Sequence, residues 1–70
     1  MEDYAALLKA IRAKRGITQE ELAARLSITQ GYVSYIESGT MTPKRHVKRI
    51  IDNFVKVTHF KMPETTETTD

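Results

Sequence analysis

No cysteine occurs in the 70 residues, so neither a disulfide frame nor a thiolate metal site holds this chain together. Its core must be purely hydrophobic. No apolar run approaches the roughly 18 residues that a membrane-spanning helix needs. The opening Met1-Glu2-Asp3-Tyr4 has neither the basic start nor the apolar centre of a signal peptide, and the expectation is a cytoplasmic protein without a membrane partner. The three glycines, Gly16, Gly31 and Gly39, are too widely spaced to form a phosphate-cradling loop. Only two histidines are present, His46 and His59, on separate elements and with no cysteine, catalytic serine set or clustered carboxylates beside them. A chain of this length makes one domain, and one near this size buries only about 60% of the surface its unfolded chain exposes. It leaves little room for an enclosed active site, so no enzyme, metal or cofactor is expected.

What charge there is sits unevenly. The net charge is only +2, but residues 1–62 hold all 11 lysines and arginines against six acids, while residues 63–70 carry Glu64, Glu67 and Asp70 and no base. The first stretch is therefore basic and reads as the folded domain. The segment Pro63 to Asp70 has no apolar residue to bury and reads as a disordered acidic tail rich in threonine and glutamate.

Apolar periodicity predicts an all-α chain. A first helix from about Asp3 to Lys14 carries Tyr4, Leu7, Leu8 and Ile11 on one stripe, with Asp3 as N-cap and Gly16 as terminator. A second begins at Thr18, where Glu21 three residues on completes a capping box and Ile17 with Leu22 forms a hydrophobic staple. Thr29 caps a third, stapled by Ile28 and Val33. Thr42-Pro43 opens a fourth, with Pro43 at the first helical position and Val47, Ile50, Ile51, Phe54 and Val55 on its apolar face. Thr58 is expected to cap one last short turn through Met62, stopped by Pro63. The apolar residues Val55, Val57, Phe60 and Met62 either complete the core or face a second subunit.

The stretch from Gln19 to Ser38 is the most informative. Leu22, Ala23 and Leu26 on one short helix, Ile28 in the turn, and Val33 and Ile36 on the next form a single apolar wedge, with the small Ala23 where two crossed helices must touch. That is the layout of a helix-turn-helix. It leaves Gln30, Gly31, Ser34, Tyr35 and Ser38 outward, a polar face without a carboxylate, suited to base edges. Gln30 at the start of that helix can pair with N6 and N7 of an adenine, Ser34 can bond a base or phosphate, and Tyr35 can bring its ring to a thymine methyl. Tyr32 leans aside, either to the sugar-phosphate backbone or to pack on the second helix.

From about Leu7 to Val57 the chain resembles the phage-repressor and Cro-like (XRE-type) helix-turn-helix domains. The resemblance rests on Leu8, Arg12, the run Gly16-Ile-Thr-Gln-Glu-Glu-Leu-Ala23, Leu26, Thr29-Gln30, Val33, Ile36-Glu-Ser-Gly39 and Pro43. It implies the lambda repressor-like fold, a compact bundle of four to five short helices, with the third in the major groove of double-stranded DNA. It also implies base readout by Gln30, Gly31, Ser34 and Tyr35. Phosphate contacts are implied at Gln19, Thr29, Tyr32, Thr40, Thr42, Lys44 and Arg45, with Lys44 and Arg45 opposing the dipole of the helix they open and so better explained by an external anion. Arg12 and Glu37 resemble the family's internal ion pair. Two positions depart from the pattern. Ser27 stands where relatives usually carry glycine, at a cost of roughly 1 kcal/mol if the turn is left-handed there. Gly31 stands where many relatives present a base-reading side chain, which reflects either close approach of the backbone to DNA or drift. The resemblance implies a transcriptional regulator, most simply a small prokaryotic or phage repressor, binding a palindromic operator as a homodimer at least on DNA. A protein-binding adaptor or antitoxin built on the same fold is the alternative.

Overall fold

Helix α1 (Tyr4–Arg15) of the computed structural model, which describes residues 3–61, begins where its sequence sets a cap: the Asp3 carboxylate accepts from the Ala6 N–H at 3.0 Å. Gly16 ends it with φ +64°, the left-handed conformation that glycine adopts without strain. Helix α2 (Gln19–Leu26) starts with both halves of the capping box in place. The Thr18 hydroxyl accepts from the Glu21 N–H at 3.0 Å, and the Glu21 carboxylate accepts from the Thr18 N–H at 2.8 Å. Helix α3 (Gln30–Glu37) is capped by the Thr29 hydroxyl, which accepts from the Tyr32 N–H at 3.1 Å. Between α2 and α3 the chain reverses at Ser27, which adopts φ +59°. Its N–H and that of Ile28 satisfy carbonyls at the end of α2, and this tight closure sets the angle at which α3 leaves.

The fourth helix, α4 (Arg45–Thr58), starts later than its sequence suggests. Pro43 is buried in the irregular segment 41–44 instead of occupying the first helical position. Lys44 is the N-cap, and its N–H goes to the Tyr32 hydroxyl at 3.1 Å. That tertiary bond, together with burial of the proline ring, displaces the helix start from Thr42-Pro43. The expected final turn is also corrected. Thr58 is the last residue of α4, and its hydroxyl donates back to the Phe54 carbonyl at 2.7 Å instead of capping a new helix. His59 then turns left-handed at φ +56°, and the Phe60 N–H closes on the Val55 carbonyl at 3.1 Å. Met62 and the acidic segment from Pro63 lie outside the described residues.

These four helices are the whole regular structure among the described residues, an all-α fold. Leu8, Ile11, Leu22, Leu26, Val33, Ile36, Val47 and Ile51 are completely enclosed, with Ala23, Tyr4 and Phe60 completing the core. Each such aliphatic side chain stabilises the fold by about 1.5–3 kcal/mol relative to leaving it in water. Helix α3 packs against both α2 and α1, with α4 closing against α2. Two further contacts tie the ends together: the Tyr4 hydroxyl donates to the Asp52 carboxylate at 3.1 Å, joining α1 to α4, and Phe60 folds back onto the core. Val57 remains 65% exposed.

Candidate nucleic-acid interface

Because Val33 and Ile36 fix one side of α3 in the core, its other side faces outward, with Gln30, Gly31, Tyr35 and Ser38 exposed and Ser34 half-buried. Glu37 is the exception in this short helix, a carboxylate with only 5% exposure. It is neutralised by Arg12 of α1 in a two-pronged fork: Nε donates to Oε2 at 2.8 Å and Nη2 donates to Oε1 at 2.9 Å. Burial alone pushes the Glu37 carboxyl up. The hydrogen bonds from Arg12 and Gln19 and the charges of Arg12 and Lys9 outweigh that effect and hold it below its ordinary value. The hydrogen bond to Glu37 in turn raises Arg12, against the opposing effect of burial. The pair expected from the resemblance is therefore present.

The network continues outward through contacts that sequence reasoning missed. Gln19 Nε2 donates to Glu37 Oε1 at 3.1 Å, and Gln30 Nε2 donates to Gln19 Oε1 at 3.0 Å. An ionised carboxylate only accepts, so Glu37 compels Gln19 to turn its NH2 inward and its carbonyl outward. Gln30 must then offer one N–H to Gln19. What remains on Gln30 is its second N–H and its carbonyl oxygen, a donor beside an acceptor. That is the complement of the N7 acceptor and N6–H donor on the major-groove edge of adenine. The only sequence signal for this relay is that Gln19 and Gln30 each follow directly on a threonine N-cap. Two helix N-termini brought together by a tight turn place such residues side by side.

The remaining residues expected to meet DNA fall into three groups. Thr29, Gly31, Tyr32, Tyr35 and Lys44 surround one shallow notch together with Met41, a residue that sequence reasoning overlooked because it lies in the loop. Thr40 is held by its own turn: its hydroxyl lies 2.7 Å from that of Ser38, and its N–H reaches the Tyr35 carbonyl at 3.0 Å. Thr42 and Arg45 are exposed on either side of Pro43 and Lys44, away from Gln19 and Gln30 in the chain. Tyr32 is half-buried, with its ring against the core and its hydroxyl accepting from Lys44, so its packing partner is the α3–α4 loop rather than α2 alone. Arg12 with Glu37 is the only ion pair among the described residues, so Lys44 and Arg45 pair with no carboxylate there.

A family model described as helix-turn-helix matches residues 8–54, well over half of the chain. The chain belongs to that helix-turn-helix family. Members are DNA-binding regulators of the XRE, Cro-like type. No curated protein and no solved structure matches the chain. The matched span opens at Leu8, the first enclosed residue of α1, and closes at Phe54 in α4, so it takes in the fork, the relay and the notch. In this helix-turn-helix protein no helix among the described residues is long and apolar enough to cross a membrane.

Proposed function

We propose that this chain is a sequence-specific transcriptional regulator of the cytoplasm that lays α3 in the major groove of a double-stranded operator and acts as a small repressor by occluding a promoter. The observation that carries this reading is the relay from Arg12 through Glu37 and Gln19, which leaves an oriented amide on Gln30 at the exposed end of α3. Gln30, Gly31, Ser34 and Tyr35 read bases. Gln19, Thr29, Tyr32, Thr40, Thr42, Lys44 and Arg45 hold the two phosphate strands, the α2 N-terminus adding backbone donors for an anion. Regulators of this geometry act as twofold dimers with half-sites roughly 34 Å apart. Selection of bound duplexes from a random pool tests the proposal. A short palindromic motif containing an adenine, bound with an affinity that falls steeply with salt, is expected.

A second reading, a protein-binding adaptor or antitoxin, draws on Tyr35, which is 56% exposed and the kind of residue that anchors protein interfaces. No duplex binding even at low salt would favour it over the regulator.

A further inference from the structure

Away from α3, the C-terminal ends of α1 and α4 meet in an open cleft of about 470 Å³ lined by Lys14, Arg15, Thr58, His59, Phe60 and Lys61. Its lining holds three permanent cations and an imidazole, and no carboxylate. None of Lys14, Arg15 and Lys61 is ion-paired among the described residues. Arg15 is held over the Phe54 ring of α4, its guanidinium carbon 5.5 Å from the ring centre. Lys61 is brought to the end of α1 by the left-handed turn at His59, closed by the Phe60 N–H on the Val55 carbonyl. Helix C-termini attract cations by themselves, each end carrying about half a negative charge. Two such ends balance roughly one of the three cations, so an excess of about two positive charges remains. That excess repels itself unless an anion lies over it.

We propose that this cleft is the docking site of the chain's own acidic segment, residues 63–70, whose Glu64, Glu67 and Asp70 pair with Lys14, Arg15 and Lys61. The described residues end at Lys61, which is itself part of the cleft wall, and Glu64 follows only three residues on. Even a fully extended chain keeps Glu64 within about 11 Å of Lys61. A segment tethered so closely is present at the cleft at an effective concentration on the order of millimolar, so ion pairs that are individually weak in water suffice to hold it. The segment has no apolar residue to bury, which leaves charge as its handle. Docked there, it withholds three cations from any external polyanion. The assignment does not depend on the regulator reading.

Because the chain has no cysteine, Thr68→Cys gives one attachment point for a nitroxide label in the full-length protein. Paramagnetic broadening of the Lys14 and Arg15 amide signals then reports the segment's approach to α1, which lies far from the label along the chain. The reference is the same labelled protein carrying Glu64→Gln, Glu67→Gln and Asp70→Asn, changes that leave residues 3–61 untouched. Broadening at Lys14 and Arg15 is expected to be about threefold weaker in that reference, the scale of a few exposed ion pairs acting from a tether. It should also fall as salt rises, and Lys14→Gln with Lys61→Gln should reproduce the loss at Arg15. Equal broadening with and without the three acids would overturn the proposal. So would broadening in a mixture of isotope-labelled protein without nitroxide and nitroxide-labelled protein without isotope, which would place the segment on a second copy.

Discussion

Without the Arg12 guanidinium, the buried Glu37 carboxylate has one side-chain donor, Gln19, for two oxygens. Breaking a buried pair from one side costs about 3–5 kcal/mol, and the 28% exposure of Arg12 admits water that lowers this toward the smaller figure. Arg12→Ala is therefore expected to destabilise the fold by about 3 kcal/mol, read as a drop of roughly 12–24 °C in melting temperature. An unchanged midpoint would remove the pair from the stability of the fold. The same carboxylate gives a pH signature. Its folded pKa lies below the ordinary 4.5, so as acid is added the unfolded chain takes up the proton first. The stabilisation is complete above 4.5 and is lost as pH falls through the folded value. Glu37→Gln should flatten the acid limb of a melting-temperature profile relative to the wild type. At this scale the sequence was only partly legible. Arg12 and Glu37 were recognisable through their resemblance to a known pair. The bond between Gln19 and Gln30 depends on how two helices cross, and no local pattern encodes that.

Caps and terminators were the most legible elements, because each is written in residues that touch within one turn of chain: Asp3, the Thr18 and Glu21 box, Thr29 and Gly16. The start of α4 was not, since a proline serves equally well at a first helical position or buried in an irregular segment. Here the Tyr32 hydroxyl, 12 residues away, decides by taking the Lys44 N–H. The end of α4 failed for a related reason, as Thr58 satisfies a carbonyl behind it rather than a donor ahead. Two element-level predictions follow from backbone conformation. Ser27 is left-handed without being glycine, so Ser27→Gly is expected to stabilise by about 0.5–1 kcal/mol, after the larger freedom of glycine in the unfolded chain is deducted. Gly31 is helical with open space at its Cβ position, so Gly31→Ala should raise stability by about 0.8–1 kcal/mol. Denaturant midpoints at constant slope check both, and a lower midpoint for either would contradict the conformation assigned to that residue.

Across the whole molecule, the two kinds of residue proposed to meet DNA differ in what holds them in place. Gln30 is fixed through Gln19 and Glu37 to the core, whereas Lys44 projects from the cap of α4 with its side chain unpaired by any carboxylate of the described residues. An oriented amide discriminates between bases; a solvated ammonium responds only to phosphate charge. Gln30→Ala is accordingly expected to weaken the preferred duplex by about 1–3 kcal/mol and to relax preference at one base pair, with little change on random duplexes. Lys44→Ala should weaken preferred and random duplexes by the same factor and make the plot of log affinity against log salt shallower by about 0.9, the value for one phosphate. Measuring both variants on both duplexes across a salt series separates the two roles. Equal losses on every duplex from Gln30→Ala would mean that its amide meets backbone rather than bases, and the relay would then serve only to join α2 to α3. The basic bias of residues 1–62 against 63–70 was visible in composition alone. Which of those cations are available to an external anion was not, because a charge shows its outward partner only once the inward ones have been accounted for, and among the described residues Glu37 is the sole carboxylate in an ion pair.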